Sequence, residues 1–193
     1  STIPDFSARI EFVVGSANID GRRASIGDSV EPGSTITTGA DGLLEIVFGS
    51  GNALQIQENT RLTIDLQNRS EGIDVQRGTI AAVFEGLETI GVGPDASFRV
   101  RTPTTVAGVR GTVFFVKVES PTRTYVCTCH GELSFDEGSL TIRAAKHRAT
   151  RFIGDGAEVR SEPAPEVYHD SDSLNAVADI VGVTIAWGEE PEL

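Results

Sequence analysis

"LLEIVFGSGNALQIQENTRLTIDL", residues 43–66, alternates apolar and polar side chains through most of its length. In its last turn of sequence Leu62, Ile64 and Leu66 fall on one side, and Thr63 and Asp65 on the other. A period of two interrupted by polar breaks is the pattern of half-buried β-strands. "GSGN" at 49–52 divides it, and "GADG" at 39–42 and "DEGS" at 136–139 punctuate similar runs elsewhere. Glycine and asparagine accept the positive φ that tight hairpins require. Working outward, the same reading predicts strands over residues 8–14, 35–37, 73–75, 79–84, 97–101, 112–118, 125–135, 140–145 and 149–153. No helical periodicity intervenes before residue 165, which excludes an α/β design. The expected fold is all-β, a sandwich or a solenoid-like roll, with a short C-terminal helix.

The last forty residues read differently. "SEPAPEVYHD" at 161–170 holds two prolines and predicts an extended connector. "DSDSLNAVADIV" then offers Asp or Ser as an N-cap, with Leu174, Val177 and Val181 at helical spacing. The expected organisation is a β domain over 8–153 and a tail over 154–193, whose helix, about 171–182, docks on it.

Composition narrows the function. A formal net charge of −12 argues against nucleic acid and anionic lipid as partners, because binding phosphate needs a basic face. No apolar run approaches the roughly 20 residues that span a bilayer. The sequence contains no methionine, so we expect it to begin at a processed end from which any signal or anchor has been removed. The oligomeric state is open at this level.

Ordered submotifs add a resemblance. "IGDSVEPGSTITTGADGLLEIVFGSGNALQIQENTRLTI" at 26–64, "QRGTIAAVF" at 76–84, "FRVRTPTTVAGVRGTVFFV" at 98–116 and "TYVCTCHGELSF" at 124–135 resemble, in order, the segments of the FecR (ferric-citrate regulator) domain. The likeness covers roughly residues 8–153. It implies an exported β module, periplasmic or extracellular, that binds a protein partner and signals without catalysis. Gly108 and Gly111 bracket "VR" in "AGVRGT", where a sharp bend is expected. That stretch lacks the lysine and the glycine spacing of a phosphate loop.

Both cysteines of the chain, Cys127 and Cys129, lie in "TYVCTCHGELSF", and His130 follows at once. Strand alternation puts Tyr125, Cys127 and Cys129 on one face, and Val126, Thr128 and His130 on the other. Residues two apart on a regular strand sit about 6.5–7 Å apart, so a Cys127–Cys129 disulfide would be strained. Two thiolates converge on an ion more easily. Across the "DEGS" turn the ladder sets Cys129 opposite Lys146, and one extra residue near 144–145 would set it opposite His147. His169, in the tail, could fold back over the same face. Cys127, Cys129, His147 and His169 would then form a two-sulfur, two-nitrogen set suited to zinc or to an iron centre. His130 enters as a cofactor ligand only if the strand ends early at Gly131.

Haem is less favoured. Covalent attachment needs Cys-x-x-Cys-His, and "CTCH" is one residue short, which leaves axial ligation by His130, His147 or His169. Two alternatives remain open at this level: inert buried thiols and a redox disulfide. Arg143, Lys146, Arg148 and Arg151 form a basic cluster, for which the acidic terminus "EEPEL" at 189–193 is an available counter-charge.

Three function classes follow. The first is a non-catalytic binding and signalling module, since no nucleophile–base pattern, carboxylate pair or phosphate loop stands out. The others are a redox or electron-transfer protein and a structural subunit that assembles through β edges.

Overall fold

The computed structural model describes residues 8–68, 70–155 and 158–189. Fifteen strands are formed among them: β1 (Ala8–Val14), β2 (Ala17–Ile19), β3 (Arg22–Arg23), β4 (Ser34–Thr38), β5 (Leu43–Phe48), β6 (Asn52–Ile56), β7 (Arg61–Asp65) and β8 (Gly72–Phe84). These are followed by β9 (Phe98–Arg101), β10 (Val106–Val109), β11 (Thr112–Ser120), β12 (Arg123–Phe135), β13 (Leu140–Ala144), β14 (Arg148–Asp155) and β15 (Glu158–Ala164). One α-helix, α1 (Ser171–Ile180), closes the chain. The fold is all-β with a short C-terminal helix, as the alternation predicts.

The strands form two sheets. A central sheet runs β1-β5-β6-β8-β11-β12-β14-β15, with every pair antiparallel. A flanking sheet runs β3-β2-β4-β7-β8-β9-β10-β12-β13, in which only β8 and β9 are parallel. The two long strands belong to both. β8 pairs with β7 and β9 before Gly78, and with β6 and β11 after it. β12 pairs with β11 and β14 up to His130, and with β10 and β13 from Gly131 on.

Glycine is needed at both corners. Gly78 has φ +95° and Gly131 φ +111°, where a side chain is strained. A methyl group on Gly78 would overlap Thr60, and one on Gly131 would lie 2.8 Å from the Gly111 carbonyl oxygen. The bend expected at Gly108 and Gly111 is placed differently: Gly108 lies inside β10, and only Gly111, φ +77°, turns.

Apolar residues fill two cores. Ile46, Phe84, Phe98, Phe114 and Phe135 lie between the sheets in the main core. Alternate residues of the same central strands point the other way: Val83, Val113, Phe115, Tyr125, Cys127 and Cys129 pack against Leu174, Val177 and Ala178 of α1. The molecule is therefore layered as flanking sheet, central sheet and C-terminal cover. The second layer of apolar residues explains why the central strands read as nearly continuous hydrophobic runs, such as "TVFFV" at 112–116.

The tail departs from a simple connector. Residues 158–164, Pro163 notwithstanding, add β15 to the edge of the central sheet. Pro163 is tolerated there because an edge strand has no second neighbour to receive its missing N–H. α1 begins at a capping box in which Asp170 accepts from Ser173 N at 2.8 Å and Ser173 Oγ receives Asp170 N at 3.0 Å. Asp170→Ala is expected to lower the thermal unfolding midpoint by an amount equal to about 1 kcal/mol, measured by circular dichroism.

Candidate metal centre

The central sheet, its bulges and the returning tail bring Cys127, Cys129, His147 and His169 into one cluster, whose ligand atoms all lie within 4.8 Å of one another. Two irregularities in the ladder build it. Against β11, β12 gains one residue at Cys129, since Val113 pairs with His130 but Phe114 with Thr128. This bulge brings the two sulfurs to 3.2 Å, much closer than regular i, i+2 side chains. On the other side Gly131 pairs with Ala144 but Thr128 with Arg148, so the chain between β13 and β14 has one residue more than β12 offers. His147, φ +41°, is in that insertion, and its N–H donates to the Cys129 carbonyl at 2.8 Å. The plain ladder count, which set Lys146 opposite Cys129, is thus corrected by one inserted residue between β13 and β14, which turns the His147 imidazole toward the sulfurs.

His169 arrives from the tail. Tyr125 fastens this segment, donating from its hydroxyl to Pro165 O at 3.0 Å and accepting from Val167 N at 3.1 Å. The neighbouring Tyr168 sits at φ +72° and donates to the Glu119 carboxylate, which also holds Arg151 at 2.9 Å. The His169 ring stacks on Phe115 at 4.4 Å, and the His147 ring on Trp187 at 4.9 Å.

Each imidazole turns one nitrogen inward and anchors the other. His147 Nδ1 lies 3.7 Å from Cys127 Sγ, while its Nε2 lies 2.9 Å from Ser171 Oγ and 3.6 Å from Glu166 Oε1. His169 Nε2 lies 3.5 Å from Cys129 Sγ, and its Nδ1–H donates to Val167 O at 2.8 Å. A tetrahedral ion with bonds near 2.3 Å to sulfur and 2.0–2.1 Å to nitrogen separates its ligands by about 3.3–3.8 Å. Three of the observed contacts, at 3.2, 3.5 and 3.7 Å, lie near that range, while the set as a whole spans up to 4.8 Å, so some of the ligand atoms would have to close by about 1 Å around an ion.

Electrostatics favour the thiolate form at one sulfur. Burial pushes the Cys127 thiol up, but hydrogen bonds from Cys129, His147 and His169 outweigh it and hold Cys127 well below an ordinary thiol. Burial and then the adjacent Cys127 push Cys129 well up. Burial lowers His169, whereas its contact with Cys127 raises it more, for a net upward shift. A sulfur held toward its thiolate form beside two imidazoles is the type of donor set that could hold a soft cation.

His130 lies outside the cluster. Its Nε2 lies 3.1 Å from Ala186 O, and its ring meets Trp187 edge-on, so it pins the end of the tail to the sheet. The two sulfurs are not bonded to each other. Of the basic cluster, Arg143 pairs with Glu132 at 2.6 Å and Arg151 with Glu119, while residues 190–193 of "EEPEL" lie outside those described. Sequence reasoning missed Ser171, Glu166 and Trp187. Only Ser171, two residues after His169 in "YHDSDS", left a signal in the form of a hydroxyl beside a candidate ligand.

No curated protein matches the chain. A family model described as FecR protein matches residues 34–134, a little over half of the chain. The match takes in both cysteines and ends before His147 and His169, so it speaks for the sandwich and leaves the metal-type cluster to its own geometry. On this match, the chain belongs to the FecR family.

Proposed function

We propose that this chain is an exported, non-catalytic binding and signalling module whose C-terminal cover is fastened to its central sheet by one metal ion held by Cys127, Cys129, His147 and His169. The FecR family is regulatory rather than enzymatic, which supports a module that acts through a protein partner. The observation that carries the metal reading is the convergence of four ligand atoms from three separate segments, with the outward nitrogen of each imidazole already engaged. Such outer contacts orient metal-bound histidines.

Zinc fits better than iron. Four N and S ligands in a closed, buried arrangement describe a structural zinc site, with no open position for chemistry. Haem fits poorly, because the rings of Phe115 and Trp187 pack directly on the two imidazoles. A periplasmic or extracellular place agrees with this, since an ion would protect a vicinal thiol pair from oxidation there. Assembly through the β15 edge is disfavoured, because Glu158, Arg160, Glu162 and Pro163 guard it against another strand.

Elemental analysis of native protein purified without chelator tests the reading. We expect one equivalent of zinc per chain and a colourless solution. Negligible metal, with the thiols free or oxidised, would defeat the proposal. Visible colour would move it to iron.

A further inference from the structure

A second site lies on the flanking sheet and owes nothing to the cysteines. β9 alternates Phe98 and Val100 into the main core with Arg99 and Arg101 outward. Arg101 pairs across the ladder with Val106, and Arg99 with Gly108. Gly108 in turn faces Ser134 on β12. The outer surface here is therefore a row of guanidinium stems over a floor without bulky side chains. A Cβ on Gly108 would meet Ser97 Oγ at 3.1 Å, so glycine keeps the floor low.

The "TPTT" turn at 102–105 raises one wall. Thr102 N donates to Thr105 O at 2.8 Å, and Thr104 Oγ1 donates to Thr124 Oγ1 at 2.7 Å, which fixes the loop upright. Arg110 closes the far side, just before the Gly111 turn. The result is a cleft of about 730 Å³ lined by Arg99, Arg101, Arg110, Thr105, Ser134 and Asp136, among others. Its size suits a small molecule.

The charge balance of the cleft is unusual for this protein. Three guanidinium groups and one carboxylate, Asp136, line the cleft, with a second carboxylate, Asp74, paired with Arg101 across the β8–β9 ladder, on a chain of net charge −12. None of the three arginine side chains has an ion-pair or hydrogen-bond partner among the described residues. Arg101 Nε is the one buried side-chain nitrogen or oxygen among them with no hydrogen-bond partner. Leaving such a donor buried and unpaired is unfavourable, the more so when it is charged, so a structure that retains one is short of an acceptor.

The geometry points to an oxyanion-binding cleft, in which Arg101, Arg99 and Arg110 grip the phosphate or carboxylate groups of a small, multiply charged ligand. Guanidinium forks match either group in bidentate fashion, and the threonine and serine hydroxyls suit the remaining oxygens. Asp136 would orient a ligand hydroxyl or amine. Recognition differs from a phosphate loop in that side chains, not successive backbone N–H groups, supply the donors.

Isothermal titration of the full, metal-replete chain at low ionic strength tests this, with inorganic pyrophosphate, malonate and a sulfated disaccharide as probes. We expect saturable binding of at least one, weakening as salt is added. Preference for pyrophosphate, malonate or the disaccharide would assign phosphate, carboxylate or sulfate ester as the group held. Arg101→Gln is expected to weaken binding at least about tenfold, and Arg101→Lys to recover only part of that, because an ammonium lacks the fork. Arg99→Gln, at an exposed position that carries no packing, should weaken it as well. Arg160→Gln, on β15, serves as the control and should change nothing. Absence of binding by all three probes at millimolar concentration would overturn the inference. So would equal affinity in the Arg101→Gln and Arg99→Gln proteins, each with an unchanged melting curve. Loss of the metal by Cys127→Ser should leave the titration intact, which separates this result from the fate of the metal proposal.

Discussion

Chelation of the proposed metal, or Cys127→Ser, is expected to free the C-terminal cover while the sandwich stays folded. The measurement is amide hydrogen exchange followed separately over residues 165–188 and over β8 and β11. Apparent binding energies of structural zinc reach about 10–16 kcal/mol, and here they would be shared by the elements that the ion joins. Those elements are β12, the insertion that carries His147 and the tail that carries His169. Without the ion the cover keeps the burial of Leu174 and Val177, about 1.5–3 kcal/mol each before ordering costs are subtracted. It also keeps the two hydrogen bonds to the Tyr125 hydroxyl, the Tyr168–Glu119 and His130–Ala186 contacts and the Gly188 N to Ala145 O bond. Exchange in the cover should therefore rise on removal of the ion without reaching that of an unfolded segment. Cys127→Ser should weaken zinc binding by more than the roughly 10–100-fold that loss of an outer-shell partner costs. Acid should have the same effect as chelator, because thiolate and imidazole ligands are lost as they gain protons. If exchange in 165–188 is the same with and without chelator, the ion does not fasten the cover.

Gly78→Ala is expected to destabilise the whole protein by about 3–5 kcal/mol. Two costs add. The backbone at φ +95° is strained for any residue with a Cβ, and the new methyl overlaps Thr60 at the point where β8 changes sheets. Thr60 has little room to retreat, since its Oγ1 accepts from Thr79 N at 2.9 Å and its own N–H donates to Thr38 Oγ1 at 2.9 Å. Gly91→Ala separates the two contributions: its φ is similar, +88°, but nothing lies within 4 Å of a Cβ there. Only the conformational part, about 1 kcal/mol, should appear. Denaturant titration of both variants reads the difference, and equal losses would mean that the close approach to Thr60 is of no consequence.

Much of the architecture was legible because alternation reports the two faces of a strand. The predicted 8–14 run is β1 to the residue, and 125–135 lies within β12. Residues 73–75 and 79–84, read as two strands, are one strand with a corner at Gly78, and no periodicity rule distinguishes a corner from a break. β2 and β3 are too short to show alternation, and β10 was hidden because its Gly108 suggests a bend. β15 was hidden by Pro163 and the adjoining Pro165, the first of which an edge position tolerates. Strand facing put Cys127 and Cys129 on one side, whereas the counted ladder set Cys129 opposite Lys146 and reached His147 only if one extra residue intervened near 144–145, and His169 joined only if the tail folded back. The outer contacts, from Ser171, Glu166 and Trp187, depend on how the tail lies across the sheet, and local pattern does not encode that. The arginine cleft was invisible for a similar reason: Arg99 and Arg101 read as ordinary outward positions, and only the wall at 102–105 makes a hollow of them.

Because β8 and β12 are each held in common by both sheets, neither sheet has an independent existence. Breaking one means tearing a strand that the other also needs, so heat or denaturant should find a single all-or-none transition for the body of the molecule. The C-terminal cover shares no strand with the flanking sheet and is the part able to come away by itself. A signal that must alter this protein without unfolding it has that layer to work on, and the layer's removal would lay bare Phe115, Val83 and Val113 for another molecule to touch.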